Sequence, residues 1–327
     1  MNWFTQLTGL HSDSHAAVWN GLRYEDGYLY GKSHAQISLQ AGHLNMPNLG
    51  SLTYQKDGGQ IVFSEVVADV QALHADSANA GAVFQVASQT NLLEMISPNQ
   101  TPEDGVIRYQ NDRTQGPACA MACAAGLIYR HYFVPVGVQM GQSEHHQIDT
   151  LADLGRALGN ENDELWHTQN GYVLPQSAQA LERIATQLHH HLAEYRSLVK
   201  VGVQQDTQVT LPHCEHVVTQ VYASALPMAY SPLGRDVTSW ETFARLVLEA
   251  AYEATFIIAA NSSSRKLYLT RLGGGAFGNP DEWIDAAILK AAQRVSGMSL
   301  DVILVNYGGS NHHNQHIIQT WKANQAS

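Results

Sequence analysis

A run of glycines between a strand pattern and a helix pattern constrains this chain more than any other feature. Residues 266–284 read KLYLTRLGGGAFGNPDEWI, in which residues 267–270 predict a buried strand and a helical pattern begins at Asp281. The glycines allow positive φ and let a ligand come close to the backbone. A helix start presents unpaired N–H groups at the positive end of the helix dipole. Pro280 suits a first helical turn because its missing N–H is not needed there. Residues 273–278, called the glycine loop below, are therefore a candidate anion-binding loop.

The motif by itself leaves two interpretations of the glycine loop open. It has no Lys-Ser/Thr pair after the glycines, as a P-loop has, and its spacing is not the G-x-G-x-x-G of a dinucleotide-binding fold. Either the loop binds phosphate or it is a tight turn that connects a strand to a helix.

Composition limits the class of protein. With 327 residues, of which 44% are hydrophobic and 14% charged, the chain is expected to be globular, with one large α/β domain or two domains. A net charge of −11 argues against nucleic acid and anionic membranes as partners, although a local group of N–H donors can still bind an anionic small molecule. There is no membrane-span pattern, no signal-peptide pattern and no disulfide framework among three cysteines, so we expect a cytoplasmic location.

The order of patterns after residue 60 predicts a layered α/β fold. Strand patterns at 60–70, 81–89, 217–230, 267–270 and 300–309 alternate with helical patterns at 118–129, 238–261 and 281–295. Such alternation favours a three-layer α/β/α arrangement around a mixed, mainly parallel sheet. We predict one large domain over residues 1–327, with a β-rich N-terminal extension at 1–55 and a helical elaboration at 136–210.

A second glycine-containing loop also precedes a predicted helix. Thr114, Gln115 and Gly116 lead into a helical segment rich in small residues. Both loops, together with Tyr230 and Tyr307, are expected at the carboxyl ends of strands, where ligands bind in α/β sheets. We therefore expect them to converge on one cleft.

Four motifs together resemble the macrodomain family of ADP-ribose-binding and ADP-ribosyl-hydrolysing modules. They are Ala68-Asp69-Val70, the strand end FQVASQTNLL, the loop GGGAFGNP before a helix, and the last strand VILVNYG. The match is more specific over residues 217–309 than in the N-terminal half, where TQGPAC replaces the usual Gly-Gly-Gly of the first phosphate loop. The segments 1–55 and 136–210 lie outside an ordinary macrodomain, so the chain is similar to a divergent, enlarged member.

The resemblance implies an ADP-ribose site with assigned residues. Asp69 would bind the adenine amino group, Gln89 or Asn91 would contact ribose, and Tyr307 stands where an aromatic residue often contacts adenine. Phe277 would lean on the distal ribose. Two phosphate loops would hold the diphosphate, formed by Thr114, Gln115, Gly116 and Cys119 and by Gly273, Gly274, Gly275, Ala276, Phe277, Gly278 and Asn279.

Hydrolysis of an ADP-ribosyl linkage calls for a carboxylate near the distal ribose. The candidates are Asp112, Glu94, Asp281 and Glu282. Asp112 beside Arg113 is more typical of a loop ion pair, and Glu282 could simply favour the helix dipole. The glycohydrolase branch of the family places paired glutamates just after its glycine loop. Residues 120–126 contain no acid here, which puts that particular mechanism in doubt.

Cysteine and histidine patterns give no metal site. Cys119 and Cys123 lie four residues apart on one predicted helix, as core thiols do. The histidine clusters at 145–146, 189–191 and 312–313 lack metal-ligand spacing with cysteine or carboxylate partners. We expect neither a metal nor a cofactor.

The sequence thus predicts a protein that binds ADP-ribose or an ADP-ribosyl derivative and hydrolyses an ADP-ribosyl linkage. One alternative is a non-catalytic reader of ADP-ribose, a related nucleotide diphosphate or an ADP-ribosylated protein, which turnover would separate from the hydrolase. Another is an α/β scaffold whose cleft binds a different phosphorylated ligand. Neither nucleic acid nor a membrane is expected as a partner.

Overall fold

A seven-stranded mixed sheet forms the centre of the fold. The computed structural model describes residues 2–32, 36–233 and 236–326. In chain order the strands are β1 (Leu22–Glu25), β2 (Tyr28–Gly31), β3 (Ser38–Gln40), β4 (His43–Asn45), β5 (Ile61–Val67), β6 (Val83–Ala87), β7 (Pro135–Val136), β8 (Gln139–Met140), β9 (Trp166–Gln169), β10 (Tyr172–Pro175), β11 (Gly202–Gln208), β12 (Val217–Ala223), β13 (Lys266–Leu269) and β14 (Leu300–Asn306).

Helices cover both faces of this sheet. They are α1 (Trp3–Thr8), α2 (His15–Gly21), α3 (Val70–Ala75), α4 (Gln115–Ala122), α5 (Ala124–Tyr132), α6 (Ala152–Ala157), α7 (Ala178–Ser197), α8 (Val237–Asn261), α9 (Asp281–Arg294) and α10 (His312–Ala326). Among these described helices, none combines the length and the apolar composition needed to cross a bilayer.

The strands of the central sheet follow the order β4-β11-β12-β6-β13-β14-β5. The five strands from β12 to β5 pair in parallel, whereas β4, β11 and β12 pair antiparallel. Parallel neighbours place their carboxyl ends at one edge of the sheet, and this edge is where binding sites of α/β folds form. The edge brings together the ends of β5, β6, β12, β13 and β14.

Successive side chains of the central strands point into two different cores. Val83, Val221 and Leu267 belong to the core that packs against α7, α8, α9 and α10. The next residue on each strand, Phe84, Tyr222 and Tyr268, belongs to the core beneath α4 and α5. A strand buried on both faces needs apolar residues at consecutive positions, as these strands have. The three-layer α/β/α arrangement and the mixed, mainly parallel sheet predicted from the sequence are therefore confirmed.

Parts of both predicted additions belong to the central sheet. β4, from the segment 1–55, pairs with β11, and β11, from the segment 136–210, pairs with β12. The segment 136–210 carries the helices α6 and α7 and, in addition to the predicted helical structure, the hairpins β7–β8 and β9–β10. The helix α2 packs on α5, where Trp19 Nε1 donates a hydrogen bond to the carbonyl of Tyr132 at 2.7 Å.

The helix predicted at residues 118–129 is in fact two helices. α4 ends at Ala122 and α5 begins at Ala124, because Cys123 has a non-helical backbone with φ −120° and ψ 57°. Thr210 causes the break: its N–H donates to the carbonyl of Ala122 at 2.8 Å, and its hydroxyl accepts from the N–H of Ala124 at 3.0 Å. A residue inserted into the helical hydrogen-bond ladder in this way kinks a helix.

Candidate binding cleft

A cleft runs along the carboxyl edge of the sheet and consists of two adjoining cavities. The first cavity, of about 530 Å³, lies over the ends of β5 and β14. The second cavity, of about 360 Å³, lies over the ends of β6 and β12. Asp112, Gln115, Thr270 and Arg271 line both cavities, so the two form one continuous cleft.

The glycine loop forms one wall of the second cavity. Gly273 and Gly278 adopt positive φ of 73° and 75°, and Gly273 has no room for a side chain because an added Cβ would lie 2.5 Å from the Cβ of Ala225. The N–H of Asn279 closes the loop by donating to the carbonyl of Gly273 at 2.9 Å. Within the described part of the chain, the N–H groups of Gly275, Ala276 and Phe277 donate to no oxygen. The wall therefore presents a run of unpaired donors to the cavity.

The first turn of α4 forms the opposite wall. Gly116 packs so closely on β6 that an added Cβ would lie 2.0 Å from the carbonyl oxygen of Ala87. The Gln115 side chain keeps α4 close to β6, because its Oε1 accepts from the N–H of Ala87 at 2.9 Å and its Nε2 donates to the carbonyl of Gln85 at 2.7 Å. The N–H groups of Gln115 and Gly116 have no hydrogen-bond acceptor among the described residues, as is usual where a helix begins.

Three aromatic rings line the far end of the second cavity. Tyr172, Tyr230 and Phe277 contact one another, with ring centroids 5.0 to 5.8 Å apart. Tyr172 comes from β10 in the segment 136–210, and its hydroxyl donates to the carbonyl of Met95 at 2.7 Å. Through Tyr172, the segment 136–210 therefore contributes to the wall of the second cavity.

Glu94 lies at the base of the second cavity, almost fully buried. Its Oε1 is 3.6 Å from Nη2 of Arg130, a guanidinium that also stacks on the ring of Tyr222 at 3.6 Å from the centroid. Burial raises the pKa of Glu94 to about 7, against the smaller opposing effects of Arg130 and of the Tyr109 hydroxyl. Neither carboxylate oxygen has a hydrogen-bond partner among the described residues. A buried carboxyl that titrates near neutral pH at a cavity wall is typical of functional sites.

Asp112 occupies the junction of the two cavities. Its Oδ1 accepts hydrogen bonds from the N–H and the hydroxyl of Thr114, at 2.9 and 2.7 Å. In the described part of the chain it makes no ion pair with Arg113, the pairing that the sequence favoured. Asp112 is half-buried and is therefore a second carboxylate within the cleft.

Asp69 and Tyr307, the two residues expected at adenine, both line the first cavity. Asp69 caps α3, because its Oδ1 accepts from the N–H of Gln71 at 2.7 Å. Tyr307 follows β14 and is 74% exposed, so its ring is available to a ligand. Gln89 lines the second cavity, but its amide is engaged by the backbone N–H and carbonyl of Met95.

Three residues indicated by the sequence lie away from the cleft. Asn91 is fully buried, where its side chain accepts from the N–H of Leu93 and donates to Gln147. Cys119 faces the core on the buried side of α4, and burial raises its pKa well above the usual range. Glu282 faces solvent, because α9 turns its next three residues inward. In the glycine loop itself, Gly274 and Gly278 do not line either cavity, and neither does Asn279 next to it.

The sequence missed one central residue, Arg271. It stands two residues before Gly273 and lines both cavities. Its position between a strand end and a glycine loop was the only local signal. In the described residues, no group of three His, Cys, Asp or Glu side chains could hold a metal ion. His313, from one of the histidine clusters, pairs instead with Asp281 and Asp285.

Comparisons with known proteins give structural matches alone. No family model matches the chain, and no curated protein does. Poly(ADP-ribose) glycohydrolase from Deinococcus radiodurans in complex with ADP-ribose matches with 11% identity, 87% of this chain and 95% of that chain covered, and a TM-score of 0.46. The poly(ADP-ribose) glycohydrolase of Thermomonospora curvata matches with 13% identity and a TM-score of 0.42, and the match covers 90% of this chain and 93% of that chain. A macrodomain variant of Oceanobacillus iheyensis matches with 12% identity and a TM-score of 0.37, and the match covers 87% of this chain and 95% of that chain.

All three TM-scores are below 0.5, and all three identities are below 25%. The function of this chain therefore rests on the residues of the cleft and on the motifs.

Proposed function

We propose that the cleft binds ADP-ribose or an ADP-ribosyl derivative, free or attached to a protein, and hydrolyses the ADP-ribosyl linkage. One observation carries the proposal: two runs of unpaired N–H groups, at Gln115–Gly116 and at Gly275–Phe277, line the same second cavity. Opposed groups of backbone donors bind a diphosphate well, because they need no positive side chain. The likeness of GGGAFGNP to the second phosphate loop of macrodomains supports the same ligand.

The two cavities suit the two ends of such a ligand. The first cavity offers Asp69 to an amino group and Tyr307 to a flat base, so it takes the adenosine end. The second cavity offers the aromatic rings of Phe277 and Tyr172 to the distal ribose. Volumes of about 530 and 360 Å³ fall in the range of small-molecule sites.

We assign the activation of water to Glu94, because this residue lines the second cavity and burial brings its pKa near neutrality. With a pKa of about 7, a large fraction of Glu94 is ionised at neutral pH and can accept a proton from water. The water oxygen then bonds to the anomeric carbon as the bond from that carbon to the leaving group breaks. The leaving group departs with the bonding electron pair and takes up the proton that Glu94 received, so Glu94 is ionised again at the end of the reaction. The negative charge of Asp112 stabilises the positive charge that develops on the sugar in the transition state. Glu282 has no role in this scheme, since it faces solvent.

Calorimetric titration with ADP-ribose tests the binding step. Gly275→Glu places a carboxylate in the proposed diphosphate site, and the fold tolerates it because no atom lies within 4 Å of an added Cβ. We expect micromolar binding by the wild type and none by Gly275→Glu. Gly275→Gln has the same size without the charge, and Gly309→Glu has the same charge at another open glycine outside both main cavities.

Both controls should bind within a few-fold of the wild type. The absence of heat with folded wild type would refute the proposal and direct the search to another phosphorylated ligand. Turnover of ADP-ribosyl substrates by the wild type, lost in Glu94→Gln with binding retained, supports hydrolysis. Binding without turnover would instead identify a reader.

A further inference from the structure

We infer that Arg271 is a positioning residue that holds the glycine loop in its anion-binding shape from both ends. The inference rests on the proposed binding of diphosphate by that loop. Arg271 directly precedes the turn that contains the loop, and Asp281, at the first position of α9, follows it. The exposed residues Gly274, Gly275 and Ala276 lie between these two positions.

The guanidinium of Arg271 ties the two ends of the turn together. Its Nε and Nη2 donate to Oδ1 of Asp281 at 2.9 and 2.6 Å, and Nη2 also donates to the carbonyl of Asp281 at 3.1 Å. Two of these bonds end on one carboxylate oxygen and the third on the backbone carbonyl, so Arg271 holds both the side chain and the backbone of Asp281. Charge-assisted bonds of this kind are about twice as strong as neutral ones.

Two further elements complete this arrangement. Asp285, one turn later on α9, places Oδ1 2.6 Å from Nη2 of Arg271. Asn314, fully buried on α10, accepts from Nη1 of Arg271 at 3.3 Å. His313 bridges the two carboxylates, with Nδ1 2.8 Å from Asp285 and Nε2 3.5 Å from Asp281. The Arg271 clasp, defined as Arg271, Asp281, Asp285, His313 and Asn314, thus joins the end of β13 to α9 and α10.

The loop depends on such an external support because its own bonds are few. One bond lies wholly inside the loop, from the N–H of Gly278 to the carbonyl of Gly275 at 3.1 Å. At the two ends, the N–H of Gly274 donates to the carbonyl of Arg271 at 3.3 Å, and the N–H of Asn279 closes the loop as described above. From outside, the N–H of Ala229 donates to the carbonyl of Phe277 at 3.0 Å. Glycine also has more backbone freedom to lose than any other residue. Holding the ends in advance reduces the ordering cost when a ligand binds, which strengthens affinity.

A different role for Arg271 makes the opposite prediction. The guanidinium lines both cavities, so it could contact the diphosphate directly. All three of its nitrogens already have protein partners, and two carboxylates neutralise its charge. If Arg271 were a direct ligand, removing the charge of Asp281 would free it and tighten binding. If it positions the loop, the same change weakens binding.

The test compares Arg271→Lys and Asp281→Asn with the matched control Arg196→Lys. Arg196 is a similar half-buried arginine between two carboxylates, Glu249 and Glu253, each at 3.1 Å, but it joins α7 to α8 away from the cleft. Hydrogen exchange is measured without ligand at the hydrogen-bonded N–H groups of Gly278 and Asn279, because the unpaired N–H groups at 275–277 are already unprotected. The Kd for ADP-ribose is measured by calorimetry. Both are recorded well below the melting temperature of each variant.

We expect loop exchange about tenfold faster and a Kd about tenfold weaker in Arg271→Lys and Asp281→Asn, with neither changed in Arg196→Lys. Unchanged loop exchange, a Kd no weaker than that of Arg196→Lys, or tighter binding by Asp281→Asn would each overturn the inference. If Arg271→Lys does not fold, Asp281→Asn carries the test, because that side chain is 42% exposed. A wild type that binds no ADP-ribose overturns the proposed function, and the clasp is then judged on loop exchange.

Discussion

The three glycines in a row should respond differently to alanine, and Gly273 and Gly275 give the sharpest comparison. Gly273 has φ of 73°, and an added Cβ would lie 2.5 Å from the Cβ of Ala225 and 2.6 Å from Nδ2 of Asn279. Gly275 lies two residues further on without positive φ, and nothing is within 4 Å of its added Cβ. The two substitutions are chemically identical and lie in the same loop.

The cost of Gly273→Ala follows from two separate effects. Left-handed backbone at a residue with a Cβ costs about 1–2 kcal/mol. Forcing a methyl group against Ala225 and Asn279 costs roughly another 1–3 kcal/mol. The Asn279 side chain cannot move away freely, because its Nδ2 donates to the carbonyl of Leu226 at 2.9 Å. We therefore expect a loss of about 3 kcal/mol in the free energy of unfolding for Gly273→Ala. For Gly275→Ala we expect a change within about 0.5 kcal/mol.

Urea unfolding monitored by tryptophan fluorescence measures this difference. If the free energy of unfolding depends on urea concentration with the same slope in the wild type and in both variants, a shift of the midpoint concentration reports a change in stability alone. The reasoning fails if Gly273→Ala is no less stable than Gly275→Ala. It also fails if Gly275→Ala is destabilised by more than about 1 kcal/mol, because the loop would then be more crowded than the structure shows.

Two further predictions concern the other side of the cleft. Burial raises the pKa of Glu94 from its ordinary 4.5 to about 7. The folded protein therefore holds this proton more tightly than the unfolded chain, and the free energy of unfolding, which is highest below pH 4.5, decreases as the pH rises through 7. In unfolding experiments, the stability of Glu94→Gln relative to wild type should therefore increase by about 3 kcal/mol between pH 4 and pH 8, and a flat difference would contradict the burial of a titrating carboxyl. Gln115→Met should lower the free energy of unfolding by roughly 2 kcal/mol, because it leaves the N–H of Ala87 and the carbonyl of Gln85 without partners. A loss below about 0.5 kcal/mol in urea unfolding would mean that water replaces the amide.

The sequence determined the local part of this protein well. The strand that ends in a glycine loop and the helix that begins at Asp281 are present as predicted, with β13 at Lys266–Leu269 and α9 from Asp281. Apolar residues at consecutive positions also indicated strands buried on both faces and hence a layered α/β fold. These features depend on neighbours in the chain, so periodicity and turn chemistry reveal them.

The tertiary structure decided which of the predicted site residues meet. Gln89 lines the cleft while Asn91, two residues later, is fully buried. The distinction depends on the packing of residues 142–147 and 170–172 around this turn. The break at Cys123 has the same origin, since Thr210 is remote in sequence. A pattern of residue types cannot report contacts made by a distant segment.

The electrostatics of the cleft is likewise a tertiary property. As a residue type, Glu94 was one of four equivalent acids, and burial beside Arg130 is what moves its pKa toward neutrality. Arg271 had no visible role until α9 and α10 brought Asp281, Asp285 and Asn314 around it. Desolvation and ion pairing depend on the three-dimensional surroundings of a group, and residues far apart in sequence form those surroundings. The sequence therefore determined most strands of the central sheet and the glycine loop with the helix that follows it. The packing of distant segments decided which side chains face the cleft and how they are charged.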